Sequence, residues 1–186
     1  VVESSLLGPA AISMHLADLG AEVIKVEGPS GDYIREMTWP IIHGVSLLHM
    51  HVNRGKQSLV LDLKSDEAVK VYQELARRAD VVIEAMRPGS LARRGLGYED
   101  LKAINPRIVF CNISGYGMTG PYQNLPAHGI AFDTWAGIVS PAYDEEGYCY
   151  IPEHASIGMH AGPLFGALGI VAAVLRARGT GEGCML

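Results

Sequence analysis

Apolar positions along this chain fall into two alternating kinds of segment. Short unbroken runs read as buried strands over Ala21–Glu27, Gln57–Leu63, Val81–Ile83 and Ile108–Ile113. Between them the period lengthens to that of a helix. Pro9 opens one helix that runs through Asp18 and stops at Gly20, with Ile12, Leu16 and Leu19 on one face. Ser65 is a good N-cap for a second helix from Asp66, whose stripe is Ala68, Val71, Tyr72, Leu75 and Ala79. Asp66 and Glu67 in its first turn and Arg77 and Arg78 in its last match the helix dipole. Shorter helices are predicted after Arg87-Pro88-Gly89, ending at Gly95, and over Tyr98–Ile104 and Ile130–Ile138. Residues 33–50 show no clean period. The longest apolar run, Ile157 through Leu175, lies in a helix predicted to Arg178 and approaches the roughly 20 residues of a bilayer span. His160, Pro163 and several small residues interrupt it, so a buried core helix is predicted, with no membrane partner.

Strands that alternate with helices, each strand apolar on both faces, predict an α/β fold: a Rossmann-like parallel sheet with helices on both faces. Ligands in such sheets bind beyond the carboxyl ends of the strands. Those ends are Glu27-Gly28, Leu63-Lys64, Glu84 to Arg87, and the glycine loop Ser114-Gly115-Tyr116-Gly117. None is a P-loop or a G-x-G-x-x-G fingerprint. Val1-Val2-Glu3 reads as the tail of a strand and the last residues as a turn entering another, so the chain is expected to be part of a longer one.

Composition narrows the class. Of 186 residues, 48% are hydrophobic and 19% charged, which excludes a disordered chain. Lys and Arg number 15 against 20 Asp and Glu, and this net −5 points away from nucleic acid. The three cysteines, Cys111, Cys149 and Cys184, are far apart, with no C-x-x-C pair. That argues against a disulfide framework or a zinc site and fits a cytoplasmic location.

Longer segments are more specific. Gly8–Asp32 (GPAAISMHLADLGAEVIKVEGPSGD), Asn53–Ser65 (NRGKQSLVLDLKS), Ala79–Tyr122 and Gly166–Gly183 (GALGIVAAVLRARGTGEG) resemble, in order and spacing, the family III CoA-transferases. That family includes formyl-CoA and carnitine CoA-transferases and the α-methylacyl-CoA racemases. The resemblance implies a Rossmann-like large domain, a smaller domain and two interlocked subunits. Residues 1–186 would be the N-terminal part of the large domain, with the small domain and C-terminal part outside them. It implies coenzyme A, carried as acyl-CoA, and a small carboxylic acid as partners, with no resident metal.

The matching positions give candidates for CoA contact: Leu61, Asp62, Leu63 and Lys64, then Ala85, Met86, Arg87 and Arg93, then His128 and Gly129. Lys64 reads either as a CoA contact or as a solvated lysine near a helix start. Arg87, Arg93 and Arg94 read either as a phosphate clamp beside a Pro-Gly turn or as an exposed charged face. Arg54 and Lys56 form a second cation pair open to the same two readings. Ala85-Met86 stands where the family usually has Asn-Phe. His15 reads as structural, and His43, His49 and His51 lack a persuasive ligand spacing.

The resemblance also exposes a departure. Family members carry a catalytic Asp ten or eleven positions before the glycine matching Gly169, and that count lands here on Met159 or Gly158. The only carboxylate nearby is Glu153. Glu153 as a displaced nucleophile, or His128 and His160 as paired bases, are the candidate catalytic groups. CoA transfer between carboxylic acids is the first reading. Racemase-like α-proton chemistry and acyl-CoA binding without catalysis are the alternatives.

Overall fold

In the computed structural model the described residues are 1–38, 40–126, 128–151 and 157–186. Six strands form one parallel sheet: β1 (Val2–Ser4), β2 (Ile24–Glu27), β5 (Gln57–Val60), β6 (Val81–Glu84), β7 (Val109–Asn112) and β10 (Cys184–Met185). Two small antiparallel hairpins lie outside it, β3 (Pro40–Ile42) with β4 (Val45–Ser46), and β8 (Ala142–Tyr143) with β9 (Cys149–Tyr150). The helices are α1 (Ala11–Asp18), α2 (Leu47–Asn53), α3 (Asp66–Arg78), α4 (Tyr98–Ile104), α5 (Gly129–Trp135) and α6 (Ile157–Thr180).

The sheet order is β10-β7-β6-β1-β2-β5. Counted along the chain, these strands run 3-2-1-4-5-6 from the β5 edge, the order of doubly wound dinucleotide-binding folds. The direction of winding reverses between β1 and β6. Connections leaving the two strands diverge there, and their carboxyl ends frame a crevice.

Both faces of the sheet are covered, which is why apolar side chains of its strands alternate between two buried clusters. Val2, Val26, Val82 and Phe110 pack under α3 and α4 with Tyr72, Ala76 and Leu101. Their sequence neighbours Val81, Ile83, Val109 and Cys111 point the other way, onto α1 and α6 with Ile12, Leu16 and Ile170. A smaller cluster of Ala10, Met14, Ile34 and Val52 seats α2 against α1.

Local signals set the helices on the first face. The Ser65 hydroxyl accepts the Ala68 N–H at 3.2 Å, and the Asp100 carboxylate accepts the Gly97 N–H at 3.0 Å, fixing the starts of α3 and α4. Val71, expected on the buried stripe of α3, is exposed, and Tyr72 with Ala68 and Ala76 carries the burial. Residues 33–50, without a clean period, form a short 3₁₀ turn, the β3–β4 hairpin and the start of α2.

The expectation of a buried core helix needs correction for α6. Only its narrow side is buried: Pro163, Ala167, Ile170, Ala173 and Ala177. The alanines and Gly166 let α6 approach α1 closely; a Cβ at Gly166 would lie 3.0 Å from Ile12 Cδ1. The bulky side chains point outward, and Phe165 is 71% exposed with Leu164, Leu168 and Leu175 beside it. By length and composition α6 could cross a membrane, yet it lies along α1 on the face of the sheet.

Candidate active site

The crevice at the winding reversal holds a cavity of about 470 Å³. Leu6, Leu7, Gly8 and Pro9, just after β1, form one wall, and Ala85, after β6, and Ile113 to Gly115, after β7, form another. His128, Gly129 and Phe132 from the start of α5, and Gly158, Met159, Gly162 and Pro163 from α6, close it, with Tyr33 at the edge. Two of the four predicted strand-end loops reach this cavity, through Ala85 and through Ser114 and Gly115, whereas Glu27-Gly28 and Leu63-Lys64 do not line it; α5 and α6 supply the rest of its wall.

Close approach decides where glycine stands. A Cβ at Gly115 would sit 2.1 Å from the Phe132 ring, and one at Gly129 only 2.8 Å from Met159 Cγ. The glycine loop is pinned to α5 by stacked rings: Tyr116 meets Phe132 and Trp135 edge-on at 5.7 Å, and Tyr122 meets Trp135 at 5.2 Å.

Met159 side-chain atoms approach both Gly8 and Gly129. Beyond Gly8 and Met159 lies a second cavity of about 540 Å³, lined by His15, His51, Arg54 and His160 among others. His128 lines the first cavity and His160 the second, so the two histidines sit on different sides of the Gly8–Met159 contact. Glu153 lies outside the described residues. No Asp or Glu lines the first cavity among the described residues.

One carboxylate nearby was not singled out from sequence. Asp133 is buried in α5, and its Oδ1 accepts the Gly158 N–H at 2.8 Å. Negative charge at the first turn of α6 complements the helix dipole, and the bond ties α5 to the backbone beside Met159. Its only sequence signal is a lone charged residue in the segment Ile130 to Trp135.

The cations divide into two sets. Leu63, Lys64, Arg93 and Arg94 line an open groove of about 510 Å³ at the same carboxyl-end rim. Lys64 and Arg93 are exposed and Arg94 half-buried. Asp62 shapes the approach by accepting the Lys64 N–H at 3.1 Å, while Leu61 and Leu63 pack on the core. Arg93 reaches Pro88 O at 3.3 Å and Ser90 Oγ at 3.4 Å, and Arg94 reaches Ser90 O at 2.8 Å. Arg87 and Met86 are exposed on the same loop, outside both cavities and the groove. Glu84 braces that loop from below, accepting the Leu91 N–H at 3.1 Å and the Asn112 amide at 3.1 Å. Burial raises its pKa, and the Leu91 N–H and the Arg93 charge partly offset this.

The other set is committed internally. Lys25 and Lys56 are buried with Glu3 and Asp32. Lys56 Nζ donates to Glu3 Oε2 at 2.8 Å, Ala10 O at 2.7 Å and Asn53 Oδ1 at 3.1 Å. Ser5 and Ser13 hydroxyls also donate to Glu3. Burial pulls Lys56 down to about 8 against the opposing pull of Glu3. Arg35 clasps Glu27 at 2.7 and 3.0 Å. Arg54 pairs with Asp18 at the surface. The role of Lys56 is thereby structural, while Arg54 holds a surface ion pair and also lines the second cavity.

Comparison with known proteins agrees with this geometry. The family described as CoA-transferase family III matches residues 2–186, and the chain belongs to that family. It is 38% identical over 182 residues to succinyl-CoA:glutarate CoA-transferase of Mus musculus, covering 97% of this chain and 41% of that protein. It is 37% identical over 179 residues to acetyl-CoA:oxalate CoA-transferase of Acetobacter aceti, covering 96% and 46% respectively. The crystal structure of a CAIB/BAIF family protein from Brucella suis superposes on the whole chain with a TM-score of 0.89 at 32% identity, over 50% of its own length. The chain spans less than half the length of the two named transferases.

Proposed function

We propose that this chain carries the CoA-binding and acyl-binding part of an enzyme that transfers CoA between carboxylic acids. In the overall reaction the thioester bond of an acyl-CoA breaks, a new thioester forms on the acceptor acid, and the first acid leaves as its carboxylate. The observation that carries this reading is the pairing, on one rim, of the partly enclosed cavity at the winding reversal with the more open groove of Lys64, Arg93 and Arg94. Exposed cations suit the CoA phosphates, and the partly enclosed space suits the acyl end.

Met159 and Gly158 stand where the family resemblance expects a carboxylate, and neither can be a nucleophile. Transfer then needs a carboxylate from elsewhere in the intact protein, with Glu153 a candidate. Met159 also favours a second reading, in which the site holds acyl-CoA without turnover. His128 and His160, on different sides of the Gly8–Met159 contact, give less support to a two-base α-proton mechanism.

The exposed apolar side of α6 supports an assembly in which further chain, or a second subunit of an interlocked dimer, covers it. The deciding experiment mixes full-length protein, an acyl-CoA and an acceptor acid, and follows the new acyl-CoA by chromatography. Transfer that weakens in Arg93→Ala and Lys64→Ala supports the reading. CoA binding with no transfer selects the non-catalytic alternative, and absence of CoA binding overturns both.

A further inference from the structure

We infer that the acyl site of this protein selects uncharged acyl groups over acyl groups that end in a second carboxylate. The inference rests on the acyl-CoA reading above and deepens it. Leu6, Leu7, Pro9, Phe132, Met159 and Pro163 are among the side chains that line the cavity. Tyr33 and His128 are its only side chains that can ionise among the described residues, and none is Lys or Arg. Lys25, Lys56 and Arg35 do not line it and are engaged elsewhere, the two lysines by Glu3 and Asp32 and Arg35 by Glu27. Lys64, Arg93 and Arg94 line a separate groove.

A terminal methyl entering this space gains from leaving water, by about fourfold in affinity per buried methylene. A terminal carboxylate entering it gives up hydration and meets no Lys or Arg among the described residues, which disfavours it. Met159 sharpens the contrast. Its flexible thioether packs well against alkyl chains and stands at the inner wall against Gly8 and Gly129. The names of two relatives specify glutarate and oxalate as acids, so the inference separates this chain from them by substrate class.

Butyryl-CoA and succinyl-CoA share a four-carbon acyl chain and differ in methyl against carboxylate at its end. Full-length protein is titrated with each and with free CoA by calorimetry. The expected result is binding of butyryl-CoA at least about tenfold tighter than succinyl-CoA. Leu6→Arg, at a rim side chain that is 45% exposed, places a cation at the cavity and should reduce that ratio to below about threefold. Wild-type protein that binds succinyl-CoA as tightly as butyryl-CoA overturns the inference while leaving the CoA reading intact. Failure to bind free CoA or either thioester overturns both together.

Discussion

Two groups of cations on the same domain have opposite fates. Lys25, Lys56 and Arg35 are held by Glu3, Asp32 and Glu27, three bases against three acids. Lys64, Arg87, Arg93 and Arg94 have no carboxylate partner within ion-pair distance among the described residues. In the first group Lys25 and Lys56 are buried with Glu3 and Asp32, where an unpaired charge is costly, and Arg35 is half-buried over the buried Glu27. The second is on the open rim, where a charge left without a protein partner stays hydrated until an anion arrives. Positive charge near a strand end is therefore insufficient to mark a ligand site. What separates the two groups is whether the fold supplies the counter-charge.

The largest expected effect comes from breaking the buried group. Lys56→Ala leaves Glu3 short of one partner in a dry site and should lower unfolding free energy by about 3–5 kcal/mol, measured by denaturant titration. Adding Glu3→Gln should recover part of the loss, and full additivity of the two changes would show that they do not share a network.

On the open rim the expected loss is in binding, with stability unchanged. Arg93→Ala should weaken CoA by about 1.5–3 kcal/mol, the range for a charge-assisted hydrogen bond. The wild-type affinity should fall with added salt, and less steeply in the variant. Unchanged affinity would remove Arg93 from the site.

Acid should reach the buried group first. Burial opposes ionisation of Glu27, yet the Arg35 ion pair, the Ser58 hydroxyl and the Asp32 N–H overcome it and hold the pKa at about 2, against 4.5 for the free side chain. Because the folded value is the lower one, its stabilisation is complete above 4.5 and lost as pH falls towards 2. The contribution is on the order of 3 kcal/mol. Glu27→Gln should flatten that part of the stability–pH curve, and an unchanged curve would refute the assignment.

The smallest effect belongs to Arg54, half-exposed and paired with half-exposed Asp18. Arg54→Ala should change neither unfolding midpoint nor CoA affinity measurably. A loss of CoA affinity would return Arg54 to the ligand site.

Much of the fold was legible because its causes are local. Ser65 with Asp66 and Glu67 starts α3, Asn105-Pro106 stops α4, and apolar runs mark strands covered on both faces. The strand-end loops named in advance include Ala85 and Ser114 to Gly115, which do reach the cavity. Lys64 and Arg93 do share a groove, though nearly thirty positions separate them. Residues 33–50 were illegible because their hairpin and helix depend on packing of Ile34 and Val52 against α1 rather than on a period of their own.

Tertiary structure alone decided which charges are engaged and which face of α6 is covered. Arg54 and Lys56 are two positions apart, yet one stays at the surface with Asp18 and the other is buried against Glu3, fifty-three positions away. Asp133 finds the Gly158 N–H across twenty-five positions. Helix α6 is apolar nearly all round, so its sequence carries no preference for a face. Ala167, Ala173 and Ala177 with Ile170 take the inner side, where the small side chains let α6 and α1 close together. Propensity, capping and alternation act between neighbours and can be read along the chain. Counter-charge and close approach act between residues that only the fold brings together.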